Sequence, residues 1–330
     1  MDKIDFVITW VDGNDSNWIE EKNKYKPQTN ADASVNRYRD WELLKYWFRG
    51  VEKFAPWVNK VYFITWGHLP EWLNINNDKL VVVNHKDYIP DEYLPTFNSV
   101  PIELYMSNIK GLSENFVYFN DDMFLVNKTG PEDFFKNGVP CDSAILTANI
   151  PSGNSDGFSH CLLSNIEFIN KYYRMRNVVM KNFTKWFNVK YGVGQIRTLL
   201  LLFWNNFSDI KMSHLPISYK KDTFKRYWPM LEDKIIEASK DRFRNNYHIN
   251  HWVFRNIQQV EGKFAPRSEK FGKFFIIDSE NNNIIKSIKK QKYKCVCLND
   301  VGEIKNFDET KQKLIAAFNY ILPEKSHFEK

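Results

Sequence analysis

The chain is 330 residues long, with 43% hydrophobic and 16% aromatic residues and a formal net charge of +6. That composition excludes a disordered chain and supplies enough core for one large α/β domain or two smaller ones. The mild, dispersed positive charge suits an anionic ligand or a membrane surface and lacks the basic stripe of a nucleic-acid binder.

Ile4 to Val11 is β-branched and aromatic and predicts a first strand, closed by the turn Asp12-Gly13-Asn14-Asp15. Ser16 to Asn36 is polar and poorly patterned, a loop with at most a short helix. Arg37 to Phe54 predicts an amphipathic helix: Trp41, Leu44, Phe48, Val51 and Phe54 recur at three- and four-residue steps, and Pro56 ends it. Val61 to Trp66 and Leu80 to Val83 predict two further strands, the second leading into Asn84-His85-Lys86-Asp87. Ile102, Met106 and Ile109 mark a helix ahead of Phe116 to Phe119, a buried strand that stops at Asn120-Asp121-Asp122. Strands alternating with helices, each strand ending in polar residues, predict a mostly parallel sheet in an α/β fold.

The adjacent carboxylates are the most informative feature of this half. Each repels the other, and an apolar neighbourhood satisfies neither. A divalent cation, Mg²⁺ or Mn²⁺, removes both objections and bridges to substrate phosphates; an acidic turn capping a helix is the alternative. Sheets of this class bind ligands just beyond their strand ends, where these residues would stand.

Beyond Asp133 the alternation weakens. Ser143 to Thr147 predicts one more strand, and Gly153 to Gly157 a loop. From Ile166 to about Phe207 the pattern is helical, with aromatics and bases interleaved; Trp186, Phe187, Leu199 to Leu202 and Trp204 fit a buried helix better than a membrane contact. Lys234 to Asp241 and Lys311 to Ile321 predict helices, and Pro323 to Lys330 a tail. His248 and His251 lack a third ligand and are expected to be structural. The expected organisation is a single domain, with an α/β core over 1–150, a helical insertion or lid over 160–240, and a C-terminal part over 241–330 completing the core. Cys141, Cys161, Cys295 and Cys297 follow no zinc or redox spacing. With no secretory segment and no apolar run long enough to span a bilayer, the expectation is a soluble, cytoplasmic protein.

Taken together, Asp12, the stretch Arg37 to Tyr46, His85 and Asn120 to Asp122 make the chain resemble the Stealth family of bacterial capsular polysaccharide phosphotransferases, similar to the catalytic part of lysosomal-enzyme GlcNAc-1-phosphotransferase. The resemblance falls in four ordered blocks: Ile4 to Asp15; Arg37 to about Phe135, including Arg39-Asp40, His85-Lys86-Asp87 and Asn120-Asp121-Asp122; Ser213-His214-Leu215-Pro216 to Arg242-Phe243-Arg244; and Cys297-Leu298-Asn299-Asp300. Trp41 and Leu43 depart from the family, which usually has Asn and Glu there.

The resemblance implies a Rossmann-like, glycosyltransferase-A-like fold and the transfer of a hexose-1-phosphate from a UDP-sugar to a glycan or lipid-linked oligosaccharide, with release of UMP. It implies that Asp121 and Asp122 hold Mg²⁺ or Mn²⁺ or orient the acceptor hydroxyl, that His214 moves the proton, and that Arg244 binds phosphate. Trp10, Asp12, Gly13, Arg37, Arg39, Asp40, His85, Asn120 and Arg242 would bind substrate, and the protein would sit in the cytoplasm, peripheral to the inner face of the membrane. Two rivals stay open at this point. One is a metal-dependent glycosyltransferase that releases UDP, and the other a non-catalytic glycan-binding protein.

Overall fold

A computed structural model describes residues 2–25, 39–150, 157–245, 247–278, 281–300, 304 and 306–330. Arg37 and most of the predicted 153–157 loop lie outside the described residues. In chain order the first half holds β1 (Ile4–Thr9), α1 (Ser16–Lys24), α2 (Leu44–Phe54), β2 (Val61–Thr65), β3 (Leu80–Asn84), α3 (Ser99–Leu104), β4 (Asn115–Phe119) and β5 (Met123–Leu125). Short strands β6 (Phe135–Lys136), β7 (Val139–Asp142) and β8 (Leu146–Thr147) precede α4 (Gly157–Tyr172), α5 (Met175–Lys181), α6 (Phe183–Trp186) and α7 (Gly194–Leu201). The remainder is β9 (Asp209–Ile210), β10 (Ile217–Lys220), α8 (Lys221–Lys240), α9 (Trp252–Val260), β11 (Ala265–Pro266), β12 (Gly272–Ile277), α10 (Asn282–Lys289), β13 (Cys295–Asp300) and α11 (Phe307–Ile321).

Among the described residues the central sheet has five strands in the order β10-β4-β1-β2-β3. β1 to β4 run parallel, and only the edge strand β10 is antiparallel. Both faces are covered, which explains why the strands are apolar throughout instead of alternating. Phe6, Ile8, Phe63, Val117 and Phe119 pack toward α2 and α11, while Val7, Tyr62, Ile64, Phe116 and Tyr118 pack toward α3, α8 and α9. The fold is therefore α/β, with a mostly parallel sheet flanked by helices. One charge is built into the sheet's far end: buried Asp5 accepts from Asn59 Nδ2, Lys60 N and Ser113 N, tying the starts of β2 and β4 together.

Two pairings bring later chain to the site end. Ile217 of β10 faces Tyr118, so residues just before Ile217 stand beside those just after Phe119. Cys297 of β13 faces Met123 in a second sheet, β12-β13-β5, and Leu298 N donates to Asp122 O at 2.9 Å.

Several expectations change. The helix expected from Arg37 starts only at Leu44, because Glu42 sits at φ 55° and Asp40 Oδ1 accepts from Glu42 N, making 39–43 a turn. The strand expected over Ser143 to Thr147 pairs only at Leu146 and Thr147, and the helix expected at Lys234 is the end of the longer α8. The helical stretch expected from Ile166 to about Phe207 is made of α4, α5, α6 and α7, and of the residues expected in a buried helix Trp186 is buried, but Leu199, Leu200 and Trp204 are exposed. Finally, the segment Pro323 to Lys330 is docked instead of trailing. Phe328 is buried against Phe48, and Glu329 takes both ends of the Arg49 guanidinium at 2.8 and 2.7 Å.

Candidate active site

The C-terminal ends of the parallel strands open onto a cavity of about 1520 Å³. Thr9 ends β1 and Trp10 follows it, His85 follows β3, and Asn120, Asp121 and Asp122 follow β4; all line it. The β10 register delivers His214, and β13 delivers Leu298, Asn299 and Asp300. Arg39, Asp40 and Trp41 come from the turn before α2, and Arg244 and His251 from the stretch around the start of α9.

The acidic loop is held from behind and left unsatisfied in front. Asp122 Oδ2 accepts from the Cys297 thiol at 3.2 Å and lies 3.7 Å from His214 Nε2. Asp122 Oδ1 and Asn120 Oδ1 are shielded from solvent and have no hydrogen-bond partner among the described atoms. Asp121 opens into the cavity, yet the enclosing walls, then the neighbouring charges of Asp122 and Asp40, lift its carboxyl to about 7. Buried oxygens without donors, beside a carboxyl that resists ionising, fit the donor set of a divalent cation. Asp122, His214 and Cys297 also offer one ligand atom each within 4.8 Å of one another. Burial and the adjacent Asp122 hold the Cys297 thiol protonated, however, so it serves there as a donor.

Opposite stands a buried polar network that the sequence did not announce. Glu103, on α3, accepts from Tyr118 OH at 3.1 Å, and the Tyr118 hydroxyl meets Thr9 Oγ1 at 3.1 Å. Glu103 Oε2 lies 3.5 Å from His251 Nε2, and His251 Nδ1 meets Tyr219 OH at 2.9 Å. Burial raises Glu103 to about 7 against the pull of Arg244, and burial drives His251 well below its ordinary value. Near neutral pH His251 is uncharged, and Glu103 is midway through its titration. Arg244 donates to Ser99 Oγ at 3.0 Å beside them.

The cavity thus gathers Asp121, Asp122, His214, Arg244, Trp10, Arg39, Asp40, His85 and Asn120. Arg39 is paired to Asp300 at 3.1 Å. His85 is neutral, because burial and then the nearby His68 bring it down to about 4. Asp12, Gly13 and Arg242 are not on the wall. Asp12 N donates to His68 Nε2 at 2.7 Å and its carboxylate accepts from Asn14 N, while Arg242 donates to Pro95 O and stacks on Tyr25. Residues that the sequence reading did not select include Glu103, Tyr118, His251, Cys297 and Arg267, whose Nη1 is buried without a partner among the described residues. Cys297 opens the fourth block named above, and a site role could have been read from that position; Glu103 and Arg267 carried no local signal.

Residues 2–29 match "Stealth protein CR1, conserved region 1", and residues 37–142 match "Stealth protein CR2, conserved region 2". The capsular polysaccharide phosphotransferase WcwK of Streptococcus pneumoniae is 44% identical over 100% of this chain and 99% of its own length. The chain belongs to the Stealth family of polysaccharide phosphotransferases. Other relatives of this Stealth protein are the exopolysaccharide phosphotransferase cps2G of Lactiplantibacillus plantarum (40% identical, 99% and 96% covered) and the receptor polysaccharide phosphotransferase WefC of Streptococcus oralis (39%, 100% and 100%). Among solved structures, the galactosyltransferase LgtC in complex with donor and acceptor sugar analogs aligns at TM-score 0.41 with 8% identity, covering 94% of this chain and 95% of its own. A likeness that loose carries no argument about the site. Of the two positions singled out in the sequence, Trp41 packs on Phe307, the first residue of α11, at 4.7 Å, and Leu43 is buried in the core.

Proposed function

We propose that this Stealth protein transfers a hexose-1-phosphate from a UDP-sugar to a hydroxyl of a growing capsular or cell-surface glycan and releases UMP, working at the cytoplasmic face of the membrane. Residues 1–150 would bind the nucleotide sugar, 160–240 would form an insertion beside it, and 241–330 would complete the core. The observation that carries this reading is one cavity whose wall holds both an unsatisfied acidic strand end and the guanidinium groups of Arg244 and Arg267. Transfer of a phosphoryl group asks mostly for positioning and for neutralisation of charge, and this wall offers both.

Asp121, Asp122 and the Asn120 amide oxygen would hold a divalent cation; these hard oxygen donors suit Mg²⁺ or Mn²⁺. When bound, the cation neutralises diphosphate charge. His214 takes the proton of the acceptor hydroxyl, steadied by Asp122 Oδ2. The hydroxyl oxygen bonds to the phosphorus that carries the sugar, and the bond from that phosphorus to the bridging oxygen breaks, so UMP leaves. Arg244, anchored on Ser99, faces the charge that shifts onto the phosphoryl oxygens. Trp10 gives the nucleotide end an aromatic wall.

The test is the identity of the released nucleotide. The protein is incubated with UDP-hexoses, Mg²⁺ and capsule oligosaccharide, and the nucleotides are resolved by chromatography. UMP in step with a phosphodiester product is expected; stoichiometric UDP with a plain glycosidic product would replace this reading with a glycosyltransferase.

A further inference from the structure

The helical segment ending at Trp204 wears its polarity inside out. α7 docks inward through Gly194, Thr198 and Leu201: Thr198 Oγ1 accepts from Leu146 N, Gly194 lies so close to Ile145 that a Cβ would come within 2.7 Å of its side chain, and Leu201 packs on the core. Its outward stripe, spaced at three and four residues, is Val193, Ile196 and Leu200, continued by Phe203 and Trp204. These are 84%, 61%, 60%, 80% and 61% exposed, and Val189, at 88%, extends the stripe on the N-terminal side. A helix facing water carries the opposite pattern.

The surrounding charge says what covers it. From Asn170 to Ser208 the chain has Lys or Arg at seven positions and neither Asp nor Glu. Arg176, Lys190 and Arg197 are exposed; Lys190 and Arg197 adjoin Val189 and Ile196 in sequence, and Arg176 Nη2 donates to Leu202 O near the end of the stripe. A second copy seated on this face would set cations against cations, which disfavours self-association. An apolar stripe with an aromatic end and a rim of one sign is the chemistry of an anionic bilayer surface. The face also adjoins the cavity rim. Lys190 Nζ donates to Pro266 O and Glu269 N to Lys190 O, and Arg267, Ser268 and Glu269 line the cavity.

We propose that the outward face of α7, through Trp204, seats the protein on an anionic lipid bilayer and holds the cavity rim beside the headgroups, where a lipid-carried acceptor would arrive. Seating is independent of the transfer chemistry proposed above, and the test reads only seating. The protein is floated with vesicles of phosphatidylcholine alone and of phosphatidylcholine mixed equally with phosphatidylglycerol. Binding to the mixed vesicles is expected, about tenfold or more above the neutral ones and weakened by salt. Phe203→Ser with Trp204→Ser should lower it by about tenfold or more, and Lys190→Gln with Arg197→Gln by roughly tenfold, with melting midpoints unchanged. If the aromatic pair fails to fold, the charge pair decides. No vesicle binding, or binding equal in wild type and the folded variants, overturns the proposal. So does a dimer in sedimentation that Phe203→Ser abolishes while vesicles stay unbound, which would make a second copy the occupant.

Discussion

Replacing Glu103 by Gln separates stability from activity in a way that the buried network makes quantitative. The carboxyl is raised by burial from an ordinary 4.5 to about 7, although Arg244, Tyr118 and Ser99 all pull it the other way. A folded-state value above the unfolded one means stability that is fully present below about 4.5 and lost as pH rises through about 7. The gap corresponds to about 3 kcal/mol. Gln keeps the shape and still accepts from Tyr118, but it never ionises. Urea unfolding of wild type and Glu103→Gln should therefore agree within about 1 kcal/mol at pH 5. At pH 8 the variant should be the more stable by roughly 2–3 kcal/mol. Asp209, raised to about 7 by burial, pushes the wild type in the same direction, so the quantity to follow is the difference between the two proteins. Transfer activity should fall in the same variant, because Glu103 lies beside Arg244 on the cavity wall. A difference that is flat with pH, or that favours wild type at pH 8, would mean that Glu103 is ionised and satisfied, and the argument from burial would fail.

Asp122→Asn should keep the fold, monitored by circular dichroism, and lose most activity, as should wild type treated with EDTA; activity that survives exhaustive chelation would remove the cation from the proposal. Arg244→Lys keeps the charge but loses the planar fork, and should lower kcat by roughly 10²-fold; His214→Ala should cost at least as much. Losses that multiply fully in the double variant would show the two acting separately, since groups serving one transition state behave as a unit. Arg49→Met strands the buried Glu329 carboxylate and should cost about 3–5 kcal/mol, with much of it recovered by adding Glu329→Gln; urea melts of the single and double variants check this.

The parallel strands, their order of appearance and the acidic strand end were legible because β-branched runs, helical spacing and a conspicuous Asn-Asp-Asp are local signals. His214 and Arg244 came from resemblance, and both reach the cavity. What sequence could not supply was sheet partnership. Neither β10 nor β13 was predicted as a strand, although Cys297 to Asp300 stood in a block of the resemblance, yet their registers bring His214 and Cys297 to Asp122. Glu103 was hidden because a lone glutamate on a short helix is ordinarily solvated, and only the fold buries it against Tyr118 and His251. The expected helix from Arg37 failed at its start because amphipathic spacing continues through a turn that Glu42 closes at positive φ. The terminal segment looked like a tail because its anchor, Arg49, stands 280 positions earlier.

The loop Asn120 to Asp122 is a seam. β4 on one side of it belongs to the central sheet, and β5 on the other belongs to the sheet formed with β12 and β13. The parallel strands β1 to β4 all precede residue 120, but the amide that fastens Asp122 from behind belongs to Leu298. A chain released before that point would have most of its central sheet and no fixed carboxylates. The seam makes the position of Asp122 depend on two sheets at once, so that a change in the packing of β12 and β13 is felt at the end of β4.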